Sequence, residues 1–262
     1  MHNHLHRTAQ YLSYLLYATN HYSLHSPFLF DLYHSVIANG TQLPSMKRVE
    51  PLRKQLAGND RTIQMNDFGA GAGKYTTRTQ KISTIARNSL SSAKTSALLH
   101  RLANYFQCQH IVELGTSLGI NTAYLAAEAQ NREVVTFEGC PNIAHLAGQN
   151  FQQLGIDHIK QYVGPIDEQL PAYLQHNPQV DLAFLDANHR YEPTMRYFNW
   201  LLDVAHPQTL FVFDDIHWSV EMTRAWQAII RHPGVTLTLD LYQVGLVFVN
   251  PELPRQHHIL SF

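Results

Sequence analysis

Residues 112–122 read Val112-Glu113-Leu114-Gly115-Thr116-Ser117-Leu118-Gly119-Ile120-Asn121-Thr122. A short apolar strand, His110–Leu114, carries an acid near its end. A loop with Gly115 and Gly119 then opens an alanine-rich helix over Ile120–Ala129. Glycine lets a backbone turn sharply and come close to a ligand, and the free N–H groups of a helix start point into the crevice. The third glycine of a G-x-G-x-x-G fingerprint is missing, so the loop is not shaped for a pyrophosphate. The next strand ends at Glu138, 25 residues after Glu113. An acid at that tip accepts hydrogen bonds from both hydroxyls of a ribose. A strand–helix turn without a ligand, and a surface glutamate at a strand end, are the plainer readings of the same two features.

Working outward, the alternation continues. Strands are predicted over Glu133–Phe137, Ile159–Val163, Val180–Leu185 and Leu210–Phe213. Helices are predicted over Ile143–Leu154, Glu168–Gln175, Thr194–Val204 and Val220–Ile230. The runs Val235–Leu241 and Gln243–Val249 are nearly contiguous and should pair as an antiparallel hairpin. Short apolar strands alternating with helices imply a mostly parallel sheet covered on both faces. The pattern predicts an α/β, Rossmann-like, doubly wound sheet of seven strands ending in that hairpin.

Upstream the texture differs. Ala9–Ile37 is aromatic and helical, broken at Leu24–Phe28, where Ser26 can cap and Pro27 can open a second helix. Residues 38–62 read as loop, or as a helix around Lys47–Leu56, and Ser92–Phe106 as a helix. The expected organisation is a helical or irregular extension over 1–94, the α/β domain over 95–250 and a tail over 251–262. A second glycine-rich stretch, Asp67–Gly73, follows a weak strand pattern at Arg61–Asn66. It precedes a polar segment, Lys74–Arg87, that carries no second strand ending in an acid. Without that setting it reads as a structural or lid loop, with a ligand role left open.

Composition excludes several classes. Hydrophobic residues make up 45% and charged residues 15% of 262, which suits a globular core. The net charge of -1 and the lack of a basic stripe argue against nucleic acid. No apolar run approaches the roughly 20 residues of a membrane helix. Met1–Arg7 lacks the pattern of a secretory signal, and Cys108 and Cys140 have no paired spacing, so a cytoplasmic setting is expected. The 17 histidines are scattered and read mostly as surface or hydrogen-bonded core groups, with His2, His4 and His6 on a terminus expected to fray.

Chemistry concentrates at two later strand ends. The fourth strand runs into Asp186-Ala187-Asn188-His189-Arg190-Tyr191, and the fifth into Asp214-Asp215-Ile216-His217-Trp218. In a doubly wound sheet, ligands sit at the carboxyl ends of the strands, so Asp186, Asp214 and Asp215 are expected at one rim. Three close carboxylates repel unless protonated or neutralised, and their hard oxygens suit Mg²⁺. A neutral imidazole at His189, with His217 as a second candidate, can take a proton near pH 7. Other readings are that Asp215 or Ser219 caps the following helix, that Asp186 only orients the cofactor, and that His189 and Tyr191 pack on the rim. Tyr197, Phe198 and Trp200 are expected in the core, and Trp218 and Trp226 either to line a substrate mouth or to pack, with packing favoured for Trp226.

The motif over 112–122 resembles the first motif of class I S-adenosylmethionine-dependent methyltransferases, E/D-x-G-x-x-x-G. The stretch Phe184-Leu185-Asp186-Ala187-Asn188-His189-Arg190-Tyr191-Glu192 is similar to the metal-dependent macrocin O-methyltransferase and cephalosporin hydroxylase group. Catechol-type enzymes are more distant relatives, and the resemblance covers about residues 95–250. It implies an enzyme that binds S-adenosylmethionine through Glu113, Gly115, Thr116, Ser117, Gly119, Asn121, Glu138, Gly164, Ile166 and Asp186. It further implies Mg²⁺ on Asp186, Asp214 and Asp215, His189 as general base, and O-methylation of a small hydroxylated molecule. A metal-independent methyltransferase, an NAD-linked oxidoreductase and a non-catalytic binder are the alternatives. The N-terminal helices are expected either to cover the site or to form a homodimer interface.

Overall fold

The computed structural model describes residues 2–20, 24–67, 76–128, 131–176 and 179–262. The chain divides into two compact units, Met1–Gly40 with Pro178–Phe262, and Thr41–Asn177. The first unit opens with helix α1 (His2–Tyr17), so the histidines expected to fray are helical, and His6 Nε2 lies 2.9 Å from Thr223 Oγ1. Helix α2 (Pro27–Leu32) starts as expected: Ser26 Oγ accepts from the Leu29 N–H, and Pro27 occupies the first turn. It continues as a π-helical turn, Tyr33–Ile37, closed by the Ala38 N–H donating to the Tyr33 carbonyl at 2.7 Å.

The second unit begins with α3 (Pro44–Ala57). Strands β1 (Thr62–Asp67) and β2 (Thr76–Lys81) pair antiparallel, with Thr62 opposite Lys81. This corrects the reading of Arg61–Asn66 as a poor strand. The segment is polar, but strand pairing needs backbone groups and β-tolerant threonines, not an apolar face. The glycine run Gly69–Gly73 lies outside the described residues. Helices α4 (Ile82–Ser89) and α5 (Ala93–Tyr105) follow, the latter capped by Ser92 Oγ accepting from the Thr95 N–H.

The α/β alternation is then as expected: β3 (His110–Leu114), α6 (Ile120–Ala126), β4 (Glu133–Glu138), α7 (Pro141–Leu154), β5 (Ile159–Val163) and α8 (Ile166–Leu174). β4 pairs in parallel with both β3 and β5, placing Leu114 beside Phe137 and Glu138 beside Val163. β3 is buried along nearly its whole length, as a strand covered on both faces must be.

Back in the first unit come β6 (Leu182–Leu185), α9 (Tyr191–Leu202), β7 (Leu210–Asp214), α10 (Val220–Arg231), β8 (Leu237–Asp240), β9 (Val244–Phe248) and β10 (Gln256–Ile259). β6 and β7 are parallel, β9 runs antiparallel to both β7 and β8, and β10 pairs parallel with β8. The hairpin is therefore present. Strand β10 lies within the expected tail and brings the strands of this α/β fold to one more than the expected seven. Tyr197 and Phe198 are buried as expected and Trp226 packs in the core, but Trp200, also expected there, is only partly buried.

Candidate functional site

In the second unit the loop after β3 folds over the end of β4. Gly115 has φ 100°, a backbone that side-chain-bearing residues rarely adopt, and its N–H donates to the Phe137 carbonyl at 2.9 Å. Ser117 is also left-handed, at φ 48°, which turns its N–H onto Glu138 Oε2 at 2.9 Å. Glu138 Oε1 accepts the Cys140 N–H at 2.9 Å. The carboxylate is thus fixed by backbone donors on both oxygens, with the Gly139 N–H also acting on it. Burial pushes its pKa up, and the backbone N–H groups around it pull the other way. At the end of β5, Gly164 takes φ 134° and donates its N–H to the Glu138 carbonyl at 2.9 Å. Ile166, buried, begins α8.

Other residues expected at this site lie behind it. Glu113 is completely buried under the loop. Its Oε2 accepts from Thr122 Oγ1 at 2.5 Å and Thr136 Oγ1 at 2.6 Å, and Oε1 has no hydrogen-bond partner. Burial pushes its pKa up to about 7. Thr116 is buried, with Oγ1 2.6 Å from Thr136 Oγ1. Gly119 starts α6 at φ 78°, and a Cβ there would lie 2.4 Å from Phe151 Cε1. Its glycine is demanded by the fit against α7. Asn121 Oδ1 accepts from Ser96 Oγ, and its Nδ2 donates to Ser91 Oγ, tying α6 to the start of α5. These four residues shape the loop from beneath, a brace that the motif alone cannot tell from a ligand contact.

In the first unit the chain leaving β6 is bent tightly. Asn188 (φ 64°) and His189 (φ 31°) are both left-handed, and Asn188 Nδ2 donates to the Tyr197 hydroxyl at 2.7 Å. Such conformations cost about 1–3 kcal/mol each and collect at functional sites. His189 Nε2 lies 3.5 Å from Asp186 Oδ1. Desolvation holds the His189 imidazole below its ordinary value, and the charge of Asp215 pulls it back up. After β7, Asp215 is left-handed at φ 55°, and its N–H donates to Asp214 Oδ1 at 3.0 Å. Desolvation raises the Asp215 pKa against the nearby charges of His189 and Arg7.

A methyltransferase-domain family model matches residues 112–216. A catechol O-methyltransferase from Mycobacterium tuberculosis is 32% identical over 162 residues, covering 56% of this chain and 71% of the relative. The chain belongs to the class I S-adenosylmethionine-dependent O-methyltransferase family. A second catechol O-methyltransferase, from Niastella koreensis, is 31% identical over 143 residues, covering 50% of this chain and 64% of that one. The same fold is seen in the O-methyltransferase from Bacillus cereus in complex with S-adenosylhomocysteine, with a TM-score of 0.56 at 18% identity over 84% of this chain and 97% of the other. It is seen again in TomG from Streptomyces achromogenes, with a TM-score of 0.53 at 23% identity over 62% and 82%. The enzyme is therefore an S-adenosylmethionine-dependent O-methyltransferase acting on a small molecule. The oxidoreductase and non-catalytic readings fall with this.

The cradle suits that cofactor: a carboxylate fixed at the tip of β4 is an acceptor for a ribose hydroxyl, and the glycine turn at Gly115 permits close approach. The expected metal trio does not assemble. Among the described residues no three His, Cys, Asp or Glu side chains are placed to hold an ion. Asp214 is nearly buried and accepts from the backbone of Asp215. Asp186 lies beside His189, and the charges of His189 and Arg7 both act on Asp215. The sequence also hid a second cluster. His217 Nε2 lies 2.7 Å from Asp240 Oδ2, which also accepts from Trp226 Nε1, while Asp240 Oδ1 accepts the Tyr242 N–H. An acid ending the strand Val235–Leu241 was the available signal for Asp240. No helix is long and apolar enough to cross a membrane among the described residues.

Proposed function

We propose that the enzyme methylates a hydroxyl oxygen of a planar aromatic diol, the acceptor named in its catechol O-methyltransferase relatives, with His189 as general base. The observation that carries this is the His189 turn. A strained, left-handed imidazole, biased toward its neutral form by desolvation, stands at the carboxyl end of β6 within 3.5 Å of Asp186. S-adenosylmethionine supplies an electrophilic methyl on a cationic sulfur, so the protein's task is alignment and proton removal. His189 takes the hydroxyl proton as the oxygen forms its bond to the methyl carbon. The carbon–sulfur bond breaks with its electron pair passing to sulfur, which leaves as a neutral thioether. Asp186 and Asp215 then stabilise the imidazolium. Glu138, Gly115 and Ser117 hold the nucleoside, and Gly164 and Ile166 flank its base.

Turnover of catechol to its monomethyl ether tests the assignment. His189→Ala should lower kcat by about 10²–10⁴ and leave S-adenosylmethionine affinity within about threefold of wild type. Unchanged kcat in that variant removes His189 from the chemistry. Glu138→Gln should do the reverse, weakening the cofactor about tenfold, since one charged acceptor for a ribose hydroxyl is lost. Calorimetry with S-adenosylhomocysteine reads this directly.

A further inference from the structure

Helix α1 brings a cation to the acid-rich end of β7. The Arg7 guanidinium lies 4.1 Å over the ring of Trp218, and the Tyr242 hydroxyl donates to the Arg7 carbonyl at 3.2 Å. His6 contacts Thr223 on α10, one residue earlier along the helix. Tyr11 meets Tyr242 edge-on with ring centres 5.0 Å apart, and Tyr242 stacks on His217. Trp218 and Tyr11 are 41% and 46% exposed, unusual for large rings not in contact with a partner. Among the described residues no carboxylate lies within 4.0 Å of the Arg7 guanidinium. Its charge is nonetheless felt by both Asp215 and Tyr242. A guanidinium is a planar fork of five donors matched to a carboxylate, and this one is held in place by stacking and by its own backbone.

We propose that Arg7 is a specificity-determining residue that receives a carboxylate carried by the acceptor. The inference rests on the acceptor site proposed at the His189 turn, and it narrows the substrate class to aromatic hydroxy acids.

Binding to the full-length enzyme saturated with S-adenosylhomocysteine tests it, with 3,4-dihydroxybenzoate and catechol as the two probes. Wild type should bind the acid about tenfold more tightly than the diol, the gain of one charge-assisted bidentate pair. Arg7→Gln should erase that preference while leaving catechol affinity within about twofold, and Arg7→Lys, a point charge without the fork, should keep part of it. A wild type with no preference, or an Arg7→Gln of unchanged helix content that still prefers the acid, overturns the proposal. Should Arg7→Gln detach α1, wild type alone decides: moving from about 0.02 to 0.5 M salt should weaken the acid and spare the diol, and equal salt dependence overturns it. The acceptor-site reading fails separately, when His189→Ala leaves catechol turnover unchanged while the Arg7 preference persists.

Discussion

At the scale of single residues, Glu113 links a buried carboxyl to the stability of the whole chain. It has no contact with solvent, two threonine hydroxyls on one oxygen and none on the other, and a pKa raised from 4.5 to about 7. Because the folded value lies above the unfolded one, folding favours the protonated acid. The stability this confers is complete below about pH 4.5 and is lost as pH rises through about 7, a change of roughly 3 kcal/mol. Glu113→Gln stays neutral throughout. In urea titrations its stability relative to wild type should therefore rise by about 3 kcal/mol between pH 4.5 and 7.5. A difference that is flat with pH would show that Glu113 does not change its proton on folding. Gly119 makes a steric case. A methyl there meets Phe151 and is forced into a left-handed backbone. Gly119→Ala should cost about 2–4 kcal/mol, and adding Phe151→Leu should recover the clash but not the backbone strain. Full recovery in the double variant would mean that packing alone explains the glycine.

At the scale of elements, legibility followed apolar pattern. Apart from β5, whose residues are only partly buried or exposed, strands β3 to β9 are buried apolar runs such as Ile111-Val112 and Phe211-Val212-Phe213, and they announce themselves. β1 and β2, rich in Thr and Gln, and β10, Gln256-His257-His258-Ile259, are polar. They are strands because a partner strand fills their backbone hydrogen bonds, and no periodicity in the sequence reports a partner. The site divides in the same way. Gly115, Glu138 and the Asp-x-x-His turn were legible as strand-end motifs. Arg7 and Tyr242 were not, since only tertiary packing brings α1 against the loop after β8. The end of the chain is held this way too. Tyr14, on α1, donates its hydroxyl to the Leu260 carbonyl at 2.8 Å and accepts the Phe262 N–H at 3.0 Å, beside the bridge of Thr19 to Leu260. Tyr14→Phe leaves both backbone groups without that partner and should lower stability by about 1–3 kcal/mol. Hydrogen exchange should quicken at Phe262 with little change in β3. Equal quickening at Phe262 and in β3 would mean that the variant loosens the core generally.

At the scale of the whole molecule, charge and surface act together. The net charge is -1 with histidines neutral, and the isoelectric point is near 7.0, so long-range repulsion between copies is weakest at neutral pH. The outer face of α1 exposes Leu5, Leu12, Leu15, Leu16 and Tyr17, and Arg7 is the only charged side chain on that helix. A contiguous apolar surface with no opposing charge favours self-association. Histidine ordinarily titrates near 6.5, so acidification adds positive charge from the 17 histidines. Burial holds His100, His189, His232, His257 and His258 below that range. Light scattering should therefore be greatest near pH 7 and fall by pH 6. The paired change Leu12→Lys with Leu16→Lys should lower it at pH 7 without altering the melting temperature, because neither side chain is buried. If scattering drops at pH 6 but not in the paired variant, net charge governs association and the helix face does not. If only the variant drops, the apolar face dominates and titration of the histidines is incidental.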